Sequence, residues 1–285
     1  MPSRLLFVGC NKIIDSVISL QFDKYLTPKP SKTIIYLGSR EHGVRNDIDL
    51  LGLYQQYNID TTNFSVVHDL DLLDTYKNIR LINLFQPWIL QQLLKLMAVD
   101  TCNDNKILIQ DSDIILLKPY VYFENNIPVP FKFENMSHSA GYYKYVETFT
   151  GQLRQTEDCF VTDFMPFRKS DWQSLKQHIE QSYRTDWLTA ITTQFKKDHP
   201  YPKGNIAFSE YELLGNWLLI NYPDLKTVQQ YHYPLTAERT RFIKNKNFEL
   251  SDFKKESFDS IAIKLYNDDI RLSLDDVDYI VKYFT

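Results

Sequence analysis

Apolar residues come first in an unbroken block, Leu5-Leu6-Phe7-Val8, and then at intervals of three and four, as Ile13, Ile14, Val17, Ile18 and Phe22. A short apolar run predicts a buried strand over residues 4–9, and the wider spacing behind it predicts a helix over residues 11–25. The alternation repeats. Residues 33–37 and 64–67 read as strands with a helix over residues 45–57 between them. A longer helix starts near Pro87, which suits a first turn, and runs to about Val99 with Leu90, Leu94 and Met97 on its apolar face. It feeds the apolar strand Lys106-Ile107-Leu108-Ile109-Gln110. Strands alternating with helices predict an α/β fold with a mostly parallel central sheet, helices on both faces, and ligands at the carboxyl ends of the strands.

The second half is less regular. Pro128 and Pro130 flank a short extended piece, residues 159–162 read as a strand, and residues 171–182 as a helix with Asp171 at its N-cap. Residues 199–204 read as a loop, residues 208–221 as a helix stopped by Pro223, and residues 227–229 as a strand. No repeat, low-complexity tract or linker interrupts the chain. We therefore expect one domain over residues 1–285, with a nucleotide-binding half to about residue 118 and an acceptor-side half from about residue 119.

Composition narrows the classes. With 44% hydrophobic and 24% charged residues, the chain has the apolar side chains that fibrous and disordered sequences lack. Its 32 basic and 36 acidic residues give a formal charge of −4, so a nucleic-acid partner is not expected. Three cysteines, Cys10, Cys102 and Cys159, form neither a disulfide framework nor a zinc pattern and suit a reducing compartment. No signal-peptide core is present, and no apolar stretch approaches the roughly 20 residues that span a bilayer. The expected location is cytoplasmic, with at most a peripheral association at the inner face of the membrane.

The strongest chemical signal is Asp111-Ser112-Asp113. The same triplet pattern occurs at residues 47–49, 69–71 and 276–278, so spacing alone means nothing. Position separates this one, because it lies between the apolar runs 107–109 and 114–117. In an extended segment residues i and i+2 point to one side. At about 4 Å and an effective dielectric of about 20, two such carboxylates repel by about 4 kcal/mol, so a cation belongs beside them. Mg²⁺ or Mn²⁺ is the simplest choice, since it takes one or two carboxylates plus substrate phosphates. The plain alternative is a strand-end turn whose aspartates bond backbone N–H groups.

On the preceding helix, Trp88, Gln91, Gln92 and Lys95 fall near one face and could hold a ribose or diphosphate, or form a solvated flank. Further on, Ser209 and Glu212 match a capping box, which leaves Glu210 at the first helical position with its carboxylate pointing out of the helix mouth. Glu210 is the candidate general base and Glu212 its substitute. His232, after the strand 227–229, could complete a metal site or be a structural histidine. The other histidines belong to no recognisable motif.

Taken in order, the Gln-Gln-x-x-Lys helix, Asp111-Ser112-Asp113 and Ser209-Glu210-Tyr211-Glu212 resemble GT-A glycosyltransferases that use nucleotide-sugar donors. They are similar to a group of small bacterial proteins inferred to build surface polysaccharides or lipid-linked glycans. The resemblance covers about residues 4–234. It implies a GT-A type, Rossmann-like fold and metal-dependent transfer from a UDP- or GDP-sugar to a saccharide or glycolipid acceptor. It also implies that Asp111 and Asp113, with Ser112 between them, bind Mn²⁺ or Mg²⁺ and the diphosphate. Gln91, Gln92 and Lys95 would then lie near the donor, Val8, Gly9, Cys10 and Asn11 would border the nucleobase, and His232 would be a third metal ligand. Many relatives carry an Asp for the base after the first strand, where this chain has Asn11-Lys12 and then Asp15, so the choice of nucleobase stays open. Two rival readings remain: a nucleotidyltransferase or phosphoesterase, and a carbohydrate-binding module without turnover.

Overall fold

A computed structural model of the chain describes residues 2–9, 12–39, 45–77, 81–116, 119–133, 140–162, 164–199, 206–229, 231–234 and 261–264, the last two segments by their backbone alone. In the first half the elements are β1 (Ser3–Val8), α1 (Ile13–Gln21), a 3₁₀ turn (Asp23–Tyr25), β2 (Leu26–Thr27), β3 (Lys32–Leu37), α2 (Leu50–Gln56), β4 (Phe64–His68), α3 (Asp69–Thr75), α4 (Leu81–Leu84), α5 (Pro87–Thr101), β5 (Lys106–Asp111) and β6 (Ile114–Leu116). There follow β7 (Tyr120–Val121), β8 (Phe123–Glu124), β9 (Ile127–Pro128), β10 (Phe131–Lys132), α6 (Ala140–Thr150), β11 (Phe164–Arg168), α7 (Lys169–Tyr183), α8 (Trp187–Asp198), α9 (Glu210–Asn221), β12 (Val228–Gln229), β13 (Tyr231–Pro234) and β14 (Ile261–Lys264).

The central sheet has the order β11-β5-β1-β3-β4, parallel throughout except for β11, which runs antiparallel to β5 at one edge. The fold is therefore mixed α/β with a mostly parallel sheet, as the alternation predicts. β1 is buried along its whole length because the period-2 pleat sends its side chains into two cores. Leu5 and Phe7 pack with α5, α7, α8 and α9, whereas Leu6 and Val8 pack with Val17 and Ile18 of α1 and Leu50 and Tyr54 of α2. Arg4 is buried in the same strand and is neutralised by Asp23 at 2.5 Å, with Thr33 Oγ1 accepting from its Nε at 3.2 Å. Register aligns the strand ends: Phe7 lies beside Asp111, Val8 beside Leu37, and Leu37 beside His68. Among the described residues no helix is long and apolar enough to cross a membrane.

Three local expectations need correction. The second-half strand is β11, not residues 159–162, where Cys159 makes only an isolated bridge with Phe133. Pro166 argues against a strand from sequence, but β11 sits at the sheet edge, where a missing N–H breaks no ladder. Asp171 is the third residue of α7 rather than its N-cap, and its Oδ2 accepts the Arg168 N–H at 3.0 Å. α2 starts later than residue 45, because Asp49 caps it by accepting the Gly52 N–H at 2.9 Å. Helices α3, α4, α6 and α8 add to those read from the sequence.

Candidate active site

Asp111 is the last residue of β5, and Ser112 and Asp113 form a turn that takes the chain out of the central sheet into β6, which pairs instead with β14. A turn, unlike an extended segment, sends its two aspartates to different neighbours. Each meets a lysine. Lys95 Nζ lies 2.7 Å from Asp111 Oδ1, and Lys12 Nζ lies 3.8 Å from Asp113 Oδ2.

Lys95 comes from the middle of α5, the helix that leads into β5, and reaches the carboxyl end of that strand. Its ammonium is also 2.8 Å from Glu210 Oε1 and sits over the Tyr211 ring at 4.2 Å from the centroid. The Lys95 side chain is 1% exposed and that of Glu210 0%. Burial alone would depress the Lys95 pKa, but the carboxylates of Asp111 and Glu210 outweigh it and hold the ammonium above its ordinary range. For Glu210 burial wins in the other direction, raising its pKa despite Lys95 and the backbone N–H groups at the helix start. The sequence-based expectation of a carboxylate opening into a cleft at the mouth of α9 therefore meets a side chain that is enclosed and ion-paired.

Glu212 has other partners. Ser209 Oγ accepts the Glu212 N–H at 3.3 Å, as a capping box requires, but the Glu212 carboxylate does not complete that box. It accepts from the Phe160 N–H at 2.9 Å and from Asn216 Nδ2 at 3.1 Å, tying α9 to the segment before β11. Burial raises its pKa as well.

On the far side of the turn, Lys12 precedes α1, with its N–H donating to Gly9 O at 2.9 Å. Its ammonium is 3.2 Å from Asp15 Oδ2. Burial pushes the Asp15 pKa up to about 6; Lys12 opposes this and Asp113 adds to it. From the sequence Lys12 and Asp15 stand only where relatives carry an Asp for the base, and not as partners of Asp113. The available signal is that Lys12 lies in the short connection between the first strand and the first helix, at the edge where such sheets bind ligands.

A family described as of unknown function, DUF6492, matches residues 45–260. The chain belongs to the DUF6492 family. The matched span includes α5, the Asp111 turn and α9, while β1 and Lys12 precede it. No curated protein matches the sequence. A solved structure that resembles it is that of the galactosyltransferase LgtC in complex with donor and acceptor sugar analogs, at 8% identity and a TM-score of 0.47, covering 99% of this chain and 93% of the other.

In this DUF6492 chain the remaining sequence candidates fall as follows. Val8 is buried and Gly9 half-buried, with Val8 O accepting from Gly38 N at 2.8 Å. Gln91 is half-buried; Gln92 is buried and donates to Trp88 O at 3.1 Å. Ser112 is buried within the turn. Cys10 and Asn11 lie outside the described residues, as does the side chain of His232, whose backbone is in β13.

Among the described residues no group of three or more His, Cys, Asp or Glu side chains is placed to hold a metal ion. Asp111 and Asp113 still fit a hard divalent cation, since such ions are content with two carboxylates plus phosphate oxygens. Among the described residues four carboxylates, those of Asp15, Asp111, Asp113 and Glu210, contact the two ammonium groups of Lys12 and Lys95.

Proposed function

We propose that this chain is a metal-dependent glycosyltransferase of the GT-A type, moving a sugar from a UDP- or GDP-sugar to a saccharide or glycolipid acceptor in surface polysaccharide synthesis. The observation that supports it is the doubly negative Asp111-Ser112-Asp113 turn at the carboxyl edge of a parallel sheet, which is where such sheets take ligands. Asp111 and Asp113 would hold Mn²⁺ or Mg²⁺. When bound there, the ion supplies Lewis-acid stabilisation of charge on the departing nucleoside diphosphate.

The chain's own residues do the positioning. Glu210 clamps Lys95, and Lys95 fixes Asp111, so the carboxylate is oriented before any ligand arrives. Lys12, 18% exposed against 1% for Lys95, would meet phosphate oxygens. The end of β1 at Val8 and Gly9 would border the nucleobase, and Gln91 the donor. With Glu210 enclosed and paired, we assign it to holding Lys95 rather than to taking the acceptor's proton. The work is placed in the cytoplasm, at most peripheral to the membrane.

The test is Asp113→Asn. With Mn²⁺ and a panel of UDP-, GDP- and CDP-sugars, the wild type should hydrolyse at least one donor, and the variant should lose about a hundredfold or more. Turnover that is unchanged and indifferent to metal would refute the proposal.

A further inference from the structure

The two lysines at the turn are held very differently. Lys95 is sealed between two carboxylates at 2.7 and 2.8 Å and is 1% exposed. Lys12 is 18% exposed, sits 3.2 Å from Asp15, and reaches Asp113 only at 3.8 Å. Its longer contact is thus to the carboxylate proposed to ligate the metal. Lys12 is also the N-cap residue of α1, where its side chain makes no capping hydrogen bond, and the positive end of the helix favours an anion in the same place.

Resting on the reading of the site given above, we infer that Lys12 is a stand-in cation for Asp113 that a nucleoside diphosphate draws away, so that nucleotide and divalent cation bind cooperatively. Without nucleotide, the Lys12 ammonium occupies the attractive side of Asp113 and repels an arriving metal ion, so the metal alone binds weakly. A diphosphate offers the ammonium more negative charge than the Asp113 carboxylate does at 3.8 Å, and Lys12 can turn to it while keeping its closer contact with Asp15 at 3.2 Å. Once Lys12 turns to the phosphate, the Asp113 carboxylate would be released to hold the ion. Linkage makes the gain mutual: whatever factor nucleotide adds to metal affinity, metal adds to nucleotide affinity.

The experiment follows Mn²⁺ binding to the full-length chain by electron paramagnetic resonance and UDP or GDP binding by calorimetry, each with and without the other ligand. Lys12→Met should bind Mn²⁺ alone about tenfold more tightly than wild type, bind nucleotide alone about tenfold more weakly, and lose most of the coupling. Effects of opposite sign separate this from structural damage, which weakens both. Lys12→Arg keeps the charge and should restore coupling. Should Lys12→Met fail to fold, Lys12→Gln carries the same expectations.

A neutral variant that binds Mn²⁺ no more tightly than wild type, or that keeps the full coupling, would overturn the role of Lys12 while leaving the transferase reading intact. A wild-type chain that binds neither Mn²⁺ nor nucleotide would overturn both.

Discussion

Replacing Lys95 with Met tests the charge cluster on which the site is built. At 2.7 and 2.8 Å and an effective dielectric of about 20, the ammonium attracts each carboxylate by about 6 kcal/mol. Desolvating the buried charges costs several kcal/mol per ion, so the intact cluster contributes little net stability. Removing one member is another matter, because Glu210 is then enclosed without a counter-charge, a situation that costs about 3–5 kcal/mol. Part is recovered if Glu210 folds protonated, toward which its pKa is already displaced. We expect Lys95→Met to lose about 3 kcal/mol near pH 8, Glu210→Gln to lose about 1–2 kcal/mol, and the double variant to lose clearly less than their sum.

The pH dependence has a definite sign. With Lys95 gone, the folded-state pKa of Glu210 rises further above its unfolded value. The folded state then binds the extra proton, and stability falls as pH rises from the ordinary glutamate value through the raised one. The Lys95→Met penalty should therefore be larger at pH 8 than at pH 5. Urea unfolding followed by circular dichroism at both values reads the whole cycle. Additive losses that do not change with pH would show that Lys95 and Glu210 are not a coupled buried pair, and the assignment of Glu210 as the clamp on Lys95 would fall.

Asp100 accepts from Tyr76 Oη at 2.9 Å, Trp172 Nε1 at 2.8 Å, Trp187 Nε1 at 3.3 Å and Lys176 Nζ at 3.0 Å, joining the end of α5 to α7 and α8. Asp100→Ala should cost about 3–5 kcal/mol in urea unfolding. Burial works against the Asp100 charge, but the Trp172, Lys176 and Tyr76 hydrogen bonds prevail and hold its pKa below the usual carboxylate value. Its stabilisation should thus be fully present above about pH 4 and fade as pH falls through the lowered value, and thermal melts of Asp100→Asn should lack that component. A Cβ on Gly215 would come within 2.3 Å of the Phe160 ring, so Gly215→Ala should destabilise by about 1–3 kcal/mol, where an exposed helical glycine would gain about 1 kcal/mol from the same change.

The parallel strands were legible because each is a compact apolar run: β1, β3, β4 and β5 fall within a residue or two of their expected bounds. Two of the helices that the sequence hid, α6 and α8, share a cause. α6 is Ala-Gly-Tyr-Tyr-Lys-Tyr-Val-Glu-Thr-Phe-Thr, rich in aromatic and β-branched residues of modest helix propensity. α8 carries three threonines, of which Thr192 bonds back to Leu188 O at 2.8 Å. Such helices are stable through tertiary packing, here Tyr145 and Phe149 of α6 against Phe195 of α8 and Phe208 ahead of α9, and that packing has no local signature.

The site divides along the same line. Asp111 and Asp113 could be placed from their position after a strand, but their partners could not, since Lys12 meets Asp113 only because β1 lies beside β5. Glu210 is more instructive. A carboxylate in the first turn of a helix reads as exposed, yet α9 needs Leu219 and Ile220 together with Tyr211, Leu213, Leu214, Trp217 and Leu218 to spread apolar residues around its circumference, and every residue from Glu210 to Leu218 is buried. An acid on such a helix must find a cation or fold neutral. α5 is buried almost as completely and carries a single cation, Lys95; of the two buried acids of α9, Glu210 takes that cation, while Glu212 accepts from the Phe160 N–H and Asn216 Nδ2. The Asp111 carboxylate, at the end of the strand between these helices in the chain, is the second acid that Lys95 holds.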